Sequence, residues 1–320
     1  MKHIHLAVAL LAVVSAMPVA AQTYPNRTIR LVVPSSPGGG TDITGRIVAN
    51  KLSEQLGQQV VVDNRAGAGT IIGIEIAAKA PPDGYTLLMG LSTLAINPSM
   101  YAKLPYDAIR DLAPVSLVVL SPNILTVHPS VPAKTVKEFI ALAKAKPGSI
   151  TYGSAGQATS PHLSGELLKV LAKIDIVHVP FKGSGQSVIS SLAGEIAANF
   201  PSVPTAIPYI KVGKLRGLGV TMAKRTQALP DVPSIAEAGV PGYEATQWFG
   251  VLAPAGTPRA IIDRLNQEIV KLLRLPEIRE RLIADGTDPV GNSPEEFAAY
   301  IKAETDKWTK VIKAAGIKPQ

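Results

Sequence analysis

Cysteine is absent from the 320 residues, which excludes both a disulfide framework and a lipoprotein anchor. Small exported domains often need such staples, but a chain of this length buries enough core to stand without them. Aromatic residues make up only 5% of the chain, and no clustered basic stripe interleaves with them, so nucleic acid is not an expected partner. Beyond the N-terminus, no stretch of roughly 20 residues is free of charge and proline in the way a bilayer span requires. Catalytic motifs are missing as well. Gly183-Ser184-Gly185 and the turn at Ser154 lack the flanking glycines of a G-x-S-x-G elbow. His128, His162 and His178 stand apart with no H-E-x-x-H spacing, and Gly67, Gly69 and Gly73 miss the dinucleotide fingerprint because the third glycine falls one position late. No metal and no cofactor is expected, and an exported hydrolase has only scattered serines, histidines and aspartates in its favour.

What is present begins with an export signal. Met1 and Lys2 make a short positive start, an apolar run follows from Leu6 to Val14, and Val19, Ala20 and Ala21 supply the small residues of a cleavage site. Residues 1–21 are therefore expected to be removed after Ala21, leaving a mature chain in the periplasm. The formal net charge is +8, which favours anionic partners. Many of the cations, as from Arg274 to Arg281, alternate with acids along helical faces in the manner of a solvated surface.

Apolar content of 46% indicates a packed globular protein. Short apolar runs alternate with helical spacing: Ile29 to Val33, then Ile43, Ile47, Leu52 and Leu56; Val60 to Val62, then Ile71 to Ala78; Thr86 to Met89. The rhythm restarts with Ile124 to Val127, a helix after Thr135, the strand Ile150 to Tyr152, a helix after Ser160, and Ile176 to Val179. It predicts an α/β fold of two lobes, each a mixed, mostly parallel sheet flanked by helices. Thr135 with Glu138 and Ser293 with Glu296 match the capping box, while Pro161, Pro258 and Pro294 suit the first helical position.

Two glycine-rich turns each follow a strand and open a helix. One reads Pro34-Ser35-Ser36-Pro37-Gly38-Gly39-Gly40-Thr41-Asp42, the other Gly153-Ser154-Ala155-Gly156 through Ser160. Small residues at a helix start leave backbone N–H groups unpaired where the helix dipole favours negative charge. Facing each other, two such ends would hold an anion.

The order of Tyr24-Pro25, Pro37-Gly38-Gly39 with Thr41-Asp42, Val62-Asp63-Asn64-Arg65 with Gly67 and Gly69, and Pro82-Asp83-Gly84-Tyr85 resembles the substrate-binding receptors of tripartite tricarboxylate transporters, the Bug proteins. Tyr152-Gly153-Ser154, Val179-Pro180-Phe181-Lys182-Gly183, Leu229-Pro230-Asp231-Val232-Pro233 and Pro254-Ala255-Gly256-Thr257-Pro258 continue the resemblance over nearly the whole mature chain. It implies a two-lobed, type II periplasmic binding protein that acts as a monomer. Such a protein closes on a small carboxylate and presents it to the permease subunits of the transporter. Residues 22–122 with 248–320 would form the first lobe and 123–247 the second. The same cleft would serve a receptor that feeds a sensor kinase. Carried over by position, the site comprises Ser36, Gly38, Gly39, Gly40, Thr41, Asp42, Ser92 and Thr93 from the first lobe. The second contributes Ser154, Gly156, Ala158, Thr159, His162, Lys182, Gly183 and Ser184.

Several of these have a plainer reading. Asp42 suits a helix cap as well as a ligand contact. His162 can act through its backbone N–H alone, and Lys182 is either a cation at the cleft mouth or a solvated surface charge. Asn64 and Arg65 suit the organisation of the Gly67 to Gly69 turn, and Trp248 and Phe249 suit core or hinge packing. Many members of the family carry an acid after the aromatic of Asn199-Phe200, where this chain has Pro201. The resemblance therefore implies a mono- or dicarboxylate without an amine, aromatic acids included.

Overall fold

A computed structural model describes residues 24–181 and 183–319, so the expected signal peptide and Lys182 lie outside the described residues. The first strands and helices alternate as β1 (Ile29–Val33), α1 (Gly40–Leu56), β2 (Val60–Asn64), α2 (Ile71–Ala78), β3 (Thr86–Leu91), α3 (Thr93–Met100) and β4 (Leu112–Ser121). The middle of the chain holds β5 (Ile124–Val127), α4 (Val136–Ala145), β6 (Thr151–Ser154), α5 (Ser160–Ala172), β7 (Val177–Pro180) and α6 (Ser184–Leu192), then β8 (Ala198–Asn199), α7 (Val203–Lys211) and β9 (Arg216–Val220). Last come β10 (Gln247–Pro254), α8 (Arg259–Leu273), α9 (Pro276–Ala284), β11 (Asp288–Pro289) and α10 (Pro294–Ala314).

These strands make two sheets, one ordered β11-β4-β10-β3-β1-β2 and the other β7-β6-β8-β5-β9. Among the named strands, β1 pairs in parallel with β2 and β3, and β6 with β7 and β8, where crossover helices connect the strands. The remaining pairs are antiparallel. Both sheets are thus more evenly mixed than the strand–helix rhythm suggests: in the first, β10 runs against β3 and β4, and in the second, β5 runs against β8 and β9. β4 and β10 part where Ser121 stands opposite Gln247.

The end of β1, Leu31–Val33, is an apolar run buried on both sides because helices cover both faces of its sheet, while Arg30 within the strand pairs with Asp63 of β2. α10 starts on a complete Ser293–Glu296 capping box. α4 has only half of one: Thr135 accepts from the Glu138 N–H, and the Glu138 carboxylate reaches one residue further back, to the N–H of Lys134. α10 also joins the lobes. Its Trp308 and Ile312 share one apolar cluster with Ile96 and Met100 of α3 and with Leu163 and Tyr243 of the second lobe. α10 also packs directly against α5.

Candidate functional site

The first glycine turn is held by Asp42. β1 gives way to Pro34, Gly38 turns at φ +83°, and α1 begins with Gly39 as its N-cap, which has no side chain to offer. Asp42 is buried at 2% exposure and spends both oxygens on the turn. Its Oδ2 accepts from the Gly38 N–H at 2.9 Å and from Arg46 Nε at 3.0 Å, and its Oδ1 accepts from Asn64 Nδ2 at 2.9 Å. Burial pushes its carboxyl up, but these donors outweigh burial and hold it below the ordinary carboxylate range. Asn64 also donates to the Ser35 carbonyl at 3.0 Å. It therefore organises the Gly38 turn rather than the Gly67 to Gly69 turn. The N–H groups of Gly40 and Thr41 are left without a partner among the described residues.

The second turn is held by a pair of histidines. Ser154 Oγ accepts from the Gly156 N–H at 3.0 Å and lies 2.6 Å from His178 Nε2. The Thr159 hydroxyl is spent on the Gly156 carbonyl at 2.7 Å, so it does not cap α5. Ala158 takes φ +61°, uncommon for a residue with a side chain, and its N–H donates to His162 Nδ1 at 3.3 Å. The rings of His162 and His178, far apart in sequence, stack at 4.0 Å. Burial pushes both imidazoles down to about 4, and their mutual repulsion adds to the effect at His178. Both rings are therefore neutral at neutral pH, as an Nδ1 acceptor must be. Beneath them the Tyr152 hydroxyl donates to Glu166 Oε1 at 2.7 Å.

Both turns line one cavity of about 330 Å³, at the small end of ligand clefts. The first lobe brings Gly38 to Thr41 and Thr93, and the second brings Thr159, Ser160 and Ser184. Ser121, Asn123 and Gln247 line it where the chain crosses between lobes, and Ile43, Ile47, Leu91, Phe249 and Leu282 give it apolar surface. Among the described lining residues no side chain is cationic, and Asp285 alone is acidic. Beside it, Gly67, Ala68, Gly69 and Thr70 all have positive φ, and Thr70, which lines the cavity, meets Thr93 hydroxyl to hydroxyl at 2.6 Å. Strain of this kind persists only where surrounding contacts enforce it.

The sequence profile of the tripartite tricarboxylate transporter family receptor, TctC, matches residues 44–317. The chain belongs to this family. BugT of Bordetella pertussis is 38% identical over 305 residues, 95% of this chain and 94% of its own. The R. palustris protein Rpa4515, solved with adipate, superposes with a TM-score of 0.86 at 38% identity, covering 93% of this chain and 100% of that one. MatC of Rhodopseudomonas palustris, solved with bound malate, gives 0.79 at 30% identity, covering 90% and 100%. TctC receptors are substrate-binding proteins rather than enzymes, and the fold is theirs.

Within this TctC chain the cavity brings together Gly38, Gly39, Gly40, Thr41, Thr93, Thr159 and Ser184 from the positions read in the sequence. Ser36 is exposed on the turn outside the lining. Asp42, Ser154, Gly156, Ala158 and His162 stand behind the lining and shape it. Gly183 is the N-cap of α6 next to Ser184, and Ser92 is buried before α3 with its hydroxyl unpartnered. Asn123, Gln247, Thr70, Asp285 and Thr287 line the cavity without having been singled out as site residues. Asn123 and Gln247 carry a usable signal, since they flank the expected crossings between lobes. The turn at Asp285 carries none.

Proposed function

We propose that this receptor captures a small mono- or dicarboxylate between its lobes in the periplasm and delivers it to the permease of a tripartite transporter. The observation that carries this is the convergence on one cavity of the uncapped starts of α1 and α5, one from each lobe, with no cationic side chain among the described lining residues. Backbone donors at two helix starts complement a carboxylate at little desolvation cost, and bridging water tolerates variation beyond it. Uncapped starts also occur at α8 and α9, away from the cavity; the convergence, not the missing caps, supports the reading. The adipate and malate held by two relatives support the same class of solute. In this reading residues 22–122 with 248–320 close against 123–247 after removal of residues 1–21.

A thermal-melt screen with adipate, succinate, malate, citrate and benzoate tests it. A ligand of the native state at a hundredfold excess over its Kd adds about 2.7 kcal/mol, which for a chain of this size raises the melting temperature by about 5 °C. At least one acid is expected to do so. A melting temperature unmoved by every one of them contradicts the proposal.

A further inference from the structure

Asn123 is fully buried, at 0% exposure, yet it lines the cavity. Its main chain is fixed on the second lobe. The N–H donates to Thr221 Oγ1 at 2.9 Å, and the carbonyl accepts from the Thr221 N–H at 2.9 Å. The orientation of its side-chain amide follows from its neighbours. Ser164 Oγ spends its proton on the Ser160 carbonyl at 2.8 Å, so towards Asn123 it can only accept. The NH₂ end must therefore face the serines, and Nδ2 donates to Ser160 Oγ at 2.9 Å and Ser164 Oγ at 3.3 Å. Oδ1 is left without a partner among the described residues.

A buried acceptor with no donor is costly, and native proteins rarely leave one unexplained. The walls of the cavity offer N–H donors to an anion; Asn123 offers the opposite polarity. A carboxylate cannot serve Oδ1, because it has no proton to give at neutral pH, and a methylene leaves the acceptor empty. A hydroxyl satisfies it. We propose that Asn123 Oδ1 accepts a hydrogen bond from a hydroxyl on the bound solute, so that this chain selects hydroxylated carboxylates over their unhydroxylated analogues. The inference rests on the carboxylate reading above and narrows it. A site built around such a hydrogen bond discriminates against a ligand lacking the hydroxyl more strongly than a merely apolar pocket discriminates by size.

Calorimetric titration of the mature protein at neutral pH with malate against succinate, lactate against propionate, and mandelate against phenylacetate tests this, with aspartate as a further probe. In any pair that binds, the hydroxylated member is expected to bind tighter by about tenfold or more. Asn123→Leu, of similar size, also removes the donor to Ser160 and Ser164, so both members are expected to bind more weakly, but the hydroxylated one by more, bringing the two within about threefold. Equal or tighter binding of the unhydroxylated acids overturns the inference and leaves the carboxylate reading standing. Aspartate binding tighter than malate, or a preference retained by folded Asn123→Leu, overturns it too. Failure of every acid to bind overturns both. The wild-type comparison decides the matter even if the variant does not fold.

Discussion

Acidification from neutral pH to about pH 4 is expected to remove about 3 to 6 kcal/mol of folding stability, through His162 and His178. Both rings are held neutral, with their protonation pushed from the ordinary 6.5 down to about 4. The unfolded chain takes up these protons first, as pH falls below about 6.5, while the folded chain does not. The contribution is whole above about pH 6.5 and is lost progressively down to about pH 4. Each ring accounts for about 3 kcal/mol, and because the rings stack their titration is shared, which sets the lower bound. Against a typical total of about 5 to 15 kcal/mol this is a large loss. The groups around the pair do not cancel it. Lys169 opposes protonation of both rings, and Glu166, which favours it at His178, is already held by Lys169 and Tyr152. Asp42 and Asp63, held below their ordinary range, begin to lose their contributions only at the acid edge of this window and lose most of them below it. Urea unfolding followed by the fluorescence of the buried Trp248 and Trp308 at about pH 7 and about pH 4.5 checks the expectation. An unchanged midpoint would refute it. In the folded chain the protonation that removes the Nδ1 lone pair holding the Ala158 N–H comes only near pH 4, so a loss of solute affinity through this contact should begin there and not at pH 6.5.

Gly165→Ala is expected to destabilise the protein by about 2 kcal/mol or more, although alanine is the better helix former by about 1 kcal/mol. A Cβ at Gly165 would lie 2.2 Å from the Tyr152 ring. That ring cannot give way. It is completely buried, packed edge-on against Phe200 and over His178, and its hydroxyl is tied to Glu166 and to the His162 carbonyl. Gly185, near the start of α6, is the internal control, since nothing lies within 4 Å of a Cβ there. Gly185→Ala should therefore melt at or above the wild type. Thermal unfolding of both variants checks the pair; a Gly165→Ala protein as stable as the wild type would show that the second turn is not packed as described.

Much of this architecture was legible from residue order. Buried stretches such as Leu31–Val33 of β1 announce themselves as apolar runs, and α8 and α10 as apolar residues at helical spacing. The glycine turns were legible because few residues other than glycine both permit such turns and bring main-chain donors close to a guest. The roles of individual side chains behind those turns were not. Asp42 sits where a cap or a ligand contact is equally reasonable, and only its meeting with Asn64, 22 residues away in sequence, decides that it braces the turn. His162 and His178 read as isolated because adjacency across α5 and β7 is a property of packing, not of spacing. Strands of two residues, β8 and β11, are too short for any periodicity.

In the proposed complex, main-chain amides from both lobes hold one solute headgroup. A two-dimensional nitrogen–proton amide spectrum, titrated with the acid that gives the largest thermal shift, tests it most directly. The resonances of Gly40 and Thr41 and that of Ser160 are expected to move together with one saturation curve. Changes confined to a single lobe, or saturation with all three resonances unmoved, would contradict it.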